Sequence, residues 1–151
     1  MLTDPKMSAE QVSVELSSRR TGMSFQRTRM SADRTLMSVI RTSLSLISFG
    51  FTIFQVFEKL REAGTLEHVS APRNFGVTLV CLGIAMLVFG IIYHVRFMQG
   101  LRAERTSMTA DGLIHGESWF PASMVLVTAI ILLLIGVAAI VSMLFQAGPF
   151  G

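Results

Sequence analysis

The residues best placed to do chemistry in this chain fall on one line: Arg34, Ser38, Arg41, Ser45, Ser48, Thr52, Gln55 and Lys59. Their spacing alternates four and three, the repeat of a single seam on a helix under slight left-handed supercoil. Arg34 and Arg41 are seven residues apart, which puts them on one helix face and about 10 Å apart along the axis. A guanidinium carries five donors and stays charged, so two on one face suit successive phosphate or carboxylate groups. Arg96, just past the second apolar stretch, is a third candidate for the same anion site. Two readings stay open at Arg41. It either snorkels to lipid headgroups while the serines serve as helix contacts, or it belongs to an anion-binding vestibule. The polar line runs on to Lys59, farther than snorkelling requires.

Other chemistries lack their residues. No carboxylate lies inside an apolar stretch, so there is no intramembrane acid-base pair. His68, His94 and His115 have no ligand spacing with one another or with Cys81, so no metal site is expected. No phosphate loop, nucleophile elbow or zinc-protease pattern occurs. Cys81 is the only cysteine and reads as a small packing residue. The expectation is a protein that is not an enzyme and needs no cofactor.

The elements that hold this line are set by composition. Of 151 residues, 51% are hydrophobic and 15% charged, with a mean hydropathy of +0.57, which points to the bilayer as solvent. Three apolar stretches, at about 38–57, 76–93 and 124–145, are long enough to cross roughly 30 Å of hydrocarbon as helices. An all-α membrane fold with three transmembrane helices is therefore expected over residues 32–151. Residues 1–31 read as a basic, largely disordered tail, rich in Ser, Glu and Arg, in which Met23 to Met30 is either an interfacial helix or an extended basic linker. Ser31 is the expected N-cap of the first long helix, with Asp33 in its first turn.

Orientation follows from Lys and Arg in the short flanks. Lys6, Arg19, Arg20, Arg27, Arg29, Arg34, Arg96, Arg102 and Arg105 lie on one side; Lys59, Arg61 and Arg73 lie on the other. The N-terminus is thus expected in the cytoplasm and the C-terminus outside. Tyr93, His94, Trp119 and Phe120 stand where interfacial aromatics would mark the same inner level. The basic face would meet anionic lipid headgroups. Nucleic acid is not an expected partner, because no aromatic-basic module accompanies the charge.

Gly76, Gly83 and Gly90 recur every seven residues, one face on which backbones can approach closely. The expected arrangement turns the polar stripe inward, packs the second helix on it through its glycines, and leaves the third outside. If the stripe instead lines a path, one helix cannot enclose it, and a homo-oligomer is required. The rival is an accessory or scaffolding subunit that meets a membrane-protein partner through the stripe and the glycine face.

Ala32-Asp33-Arg34-Thr35, then Ser38-Val39-Ile40-Arg41-Thr42 and the run through Gly50, resembles the opening of the YidH-like proteins. These are a domain-of-unknown-function family of three-span bacterial inner-membrane proteins, whose pattern is an acidic residue, Arg-Thr, and a second Arg-Thr at the top of the first span. The likeness covers roughly residues 27–146. This chain has Ala32 where Asn is common, Asp33 for Glu and Val39 for Trp. The resemblance implies a multi-pass protein of the bacterial inner membrane. The same domain type forms the membrane part of the vacuolar transporter chaperone complex, which looks like a basic-lined polyphosphate channel. By that likeness Arg34 and Arg41 would map to basic positions of its first helix.

Overall fold

The computed structural model describes residues 8–64, 70–110 and 123–145. They form three helices: α1 (Ala9–Glu62), α2 (Ser70–Ala110) and α3 (Met124–Phe145). Each is long and apolar enough to cross a membrane, and the chain is a multi-pass membrane protein by that measure. The residues His68, His115, Trp119 and Phe120 singled out above lie outside the described residues.

α1 begins much earlier than the sequence suggests. Residues 9–22, expected as disordered tail, are helical, the helical alternative holds over 23–30, and Ser31 sits in mid-helix rather than at a cap. The start is fixed by a reciprocal cap: Ser8 N–H donates to Gln11 Oε1 (3.0 Å) and Gln11 N–H donates to Ser8 Oγ (3.3 Å), the capping-box arrangement. An Arg19–Glu15 pair at 2.8 Å adds the usual small support of residues one turn apart. At the far end Gly64 adopts φ +69° and its N–H donates to the Arg61 carbonyl at 3.0 Å, so a left-handed glycine stops the helix.

Two compact units divide the chain. The first holds residues 1–32 and 95–121. Within it, Ser18, Gly22, Phe25 and Arg29 of α1 and Met98, Leu101, Arg105 and Met108 of α2 are buried or half-buried, each row at alternating three and four spacing. That inward-facing row is what a disordered tail would lack, and it accounts for the helix.

The second unit, residues 33–94 and 122–151, carries the spans. α1 buries Leu36, Ile40, Ser43, Ile47, Gly50 and Phe54; α2 buries Val80, Gly83 and Leu87. The contact is closest at the glycines. A Cβ on Gly50 would stand 2.6 Å from the Gly76 carbonyl oxygen, and one on Gly76 would stand 2.7 Å from that of Gly50. Gly83 abuts Ile47 and Ser43, and Gly90 abuts Val39 and Leu36. Numbers falling on α1 as they rise on α2 make the pair antiparallel.

α3 does not simply lie outside this pair. It sits against both helices, since a Cβ at Gly136 would be 3.2 Å from Ile47 and 3.2 Å from Ile84. Ala129, Gly136, Ala139, Ser142 and Met143 form its buried face, while Ile131, Leu134, Ile135 and Leu144 remain more than half exposed. Small residues inside and large aliphatics outside suit a helix whose other neighbour is lipid.

Candidate anion-binding surface on the first helix

The buried seam of α1 and its polar line share the same four-three spacing but start two residues apart. At 3.6 residues per turn that offset is about 200°, nearly opposite faces. The structure accordingly corrects the expected arrangement: the polar stripe faces away from α2 and α3. Arg34, Ser38, Arg41, Ser45, Ser48, Thr52 and Lys59 are exposed, and Gln55 is half-buried. The reason is competition for the inner face. Leu36, Ile40, Ile47 and Phe54 fit the glycine-lined side of α2, and a polar row cannot occupy the same side.

Two of the stripe's hydroxyls are occupied along the helix itself. Ser45 Oγ donates to the Arg41 carbonyl (3.0 Å) and Thr52 Oγ1 to the Ser48 carbonyl (2.8 Å). Such bonds let a hydroxyl sit in an apolar surrounding at little cost. For the guanidiniums of Arg34 and Arg41, no carboxylate among the described residues forms an ion pair. Arg96 is also exposed, but it lies in the other compact unit. Lys59 is exposed at the opposite end, beside Glu58, which pairs with Arg61.

A second polar cluster was not evident in the sequence. His94, expected as an interfacial marker, is only 2% exposed. Its Nε2 lies 3.5 Å from Asp33 Oδ1, close enough for an ion pair when the imidazole is protonated. Neither ring nitrogen makes a hydrogen bond among the described residues. Asp33 sits inside α1 rather than in a first turn, and its Oδ1 accepts a 2.8 Å bond from Ser123 Oγ. Ser123 in turn starts α3, its carbonyl accepting the Val127 N–H at 3.2 Å. One carboxylate thus ties α1 to α3 beside a buried imidazole of α2. The serine bonds the carboxylate and not the imidazole, so this is not the order that activates a nucleophile.

The signal for this cluster lies in the two seams. Extending α1's buried line back from Leu36 by three reaches Asp33, and extending the glycine line forward from Gly90 by four reaches His94. In an antiparallel pair those extensions meet.

Fold and surface together define a class: a three-span helical membrane protein with a basic, hydroxyl-rich face on the outside of its first helix. Residues 27–100 match the family model described as Domain of unknown function (DUF202). This part of the chain is a DUF202 domain, the family to which the resemblance to YidH-like proteins points, and both Arg-Thr pairs fall within it. No curated protein and no solved structure matches the chain.

Proposed function

We propose that this protein is a non-enzymatic homo-oligomer of the inner membrane in which copies of α1 turn their polar stripes toward a shared axis. Arg34 and Arg41 then ring a cytoplasmic mouth that binds or passes an anionic ligand. One observation carries the reading. The stripe, with an arginine at position 41 inside the first apolar stretch, is exposed on the single chain. A polar face in hydrocarbon is costly unless protein or water covers it.

The rival scaffold reading relied on two free faces. Gly76, Gly83 and Gly90 are already used within the chain, against Gly50, against Ile47 and Ser43, and against Val39 and Leu36. The stripe is left exposed, and a stripe that repeats its own register suits copies of itself.

The test is inorganic phosphate binding to the protein in lipid vesicles. Arg41→Ala should lose binding while the chain still inserts, and Arg41→Lys should retain part of it. Equal binding by the parent and Arg41→Ala would refute the proposal.

A further inference from the structure

Residues 16–43 of the sequence read LSSRRTG, MSFQRTR, MSADRTL, MSVIRTS. Four consecutive heptads repeat one pattern: Leu or Met, then Ser, two variable residues, Arg and Thr. All four lie on the uninterrupted helix α1. The first two, with Met30, Ser31 and Ala32 of the third, belong to the first compact unit.

The repeat has a structural counterpart. Thr21 Oγ1 donates to the Ser17 carbonyl (3.1 Å), Thr28 to Ser24 (3.0 Å) and Thr42 to Ser38 (3.1 Å). Its two leading rows are unburied. Leu16, Met23 and Met30 are 49%, 53% and 54% exposed, and Arg20 and Arg27 are exposed as well. Leu16, Arg20, Met23, Arg27 and Met30 alternate four and three, an apolar layer followed by an arginine layer, as at the d and a positions of a coiled coil. The inward-facing row of this unit, Ser18, Gly22, Phe25 and Arg29, lies on another side of the helix. The other arginines near the seam are engaged, Arg19 with Glu15 and Arg29 elsewhere. No carboxylate among the described residues pairs with Arg20 or Arg27.

We propose that residues 16–31 form a parallel, in-register seam between copies of this chain, in which Leu and Met layers pack and the intervening arginine layers close around oxyanions. This rests on the oligomer proposed above and extends it beyond the spans. The occupant is a second copy because the heptad period is strict over four repeats and shares its register with Arg34 and Arg41. Identical layers meet when parallel copies align without offset or by whole heptads, and spans of one length held at one depth in the bilayer select zero offset. Such an alignment sets arginine against arginine, which is unfavourable without a counter-charge. A phosphate-class oxyanion accepting from several guanidiniums supplies it, and each site is incomplete without the neighbouring copy.

The experiment is oxidative cross-linking of the full chain in lipid vesicles, in a Cys81→Ser background so that each introduced cysteine is the only thiol. Met23→Cys probes an apolar layer, Thr28→Cys a position off the seam, and Ser45→Cys the stripe within the span. In inorganic phosphate, Met23→Cys should join copies roughly tenfold more than Thr28→Cys, because a disulfide needs Cβ atoms about 4 Å apart. In chloride at equal ionic strength the yield should fall. Arg20→Gln with Arg27→Gln should restore it in chloride by removing the repulsion, a rescue that a merely structural role would not give. Cross-linking at Ser45 without any excess at Met23 overturns this inference and leaves the spanning oligomer standing. Cross-linking at neither overturns both. Equal yields in phosphate and chloride with both arginines present overturn the oxyanion layers, and capture of a different protein by Met23→Cys overturns self-association.

Discussion

α1 carries two seams of the same period with opposite contents. The inner one, from Asp33 through Leu36, Ile40, Ile47 and Gly50 to Phe54, is used against α2 and α3. The outer one, from Arg34 to Lys59, is exposed. Their difference teaches that one helix can carry two faces of the same period and opposite contents, two residues out of phase. Inner contacts answer to volume and backbone approach. Outer ones answer to charge and to what lies beyond the chain.

That contrast is broken most severely at the closest backbone contact. Gly50→Leu sets a side chain into the Gly76 carbonyl and should destabilise the spanning unit by at least about 3 kcal/mol, the upper end for overpacking. Thermal unfolding in detergent followed by circular dichroism would read this. Ser48→Leu, on the outer seam, should leave the same melting curve nearly unchanged.

The next largest effect falls on the outer seam's charge. Arg41→Ala should weaken phosphate binding by about 10- to 100-fold, the span expected for a lost charged hydrogen bond of roughly 1.5–3 kcal/mol. Titration calorimetry on vesicle-embedded protein would measure it. The melting curve should move little, which separates this seam from the inner one.

Asp33→Ala sharpens the comparison at its boundary, where the inner seam ends in a polar tie. Removing the acceptor of Ser123 and the neighbour of buried His94 should cost about 1–3 kcal/mol. Asp33→Asn keeps an acceptor for Ser123 and should lose less, as unfolding midpoints of the two variants would reveal. The smallest effect is expected at Ser45→Ala. The hydroxyl bonds its own helix, so stability should change by no more than about 0.5 kcal/mol.

Much of this molecule is legible in its letters. The spans follow from apolar length, and Met124–Phe145 coincides with the third expected span. Gly76, Gly83 and Gly90 mark one face of α2, and the structure sets that face against α1. The direction of the polar stripe was harder to read. Periodicity gives a face, but which face turns inward depends on the shape of the partner helix, and here glycines on α2 favour large aliphatics opposite. The helix over residues 9–22 was hidden because its local composition is polar and its support comes from α2 residues some 80 positions away. Asp33, His94 and Ser123 were hidden for the same reason. Each looks like an ordinary boundary residue until an antiparallel pairing brings three distant segments together.

The central claim is that the outer seam meets copies of itself around an anion. Native mass spectrometry of protein released gently from lipid, in inorganic phosphate, tests it most directly. A closed oligomer retaining phosphate, which is lost in Arg41→Ala, is the predicted result. A monomer that carries no phosphate would contradict it.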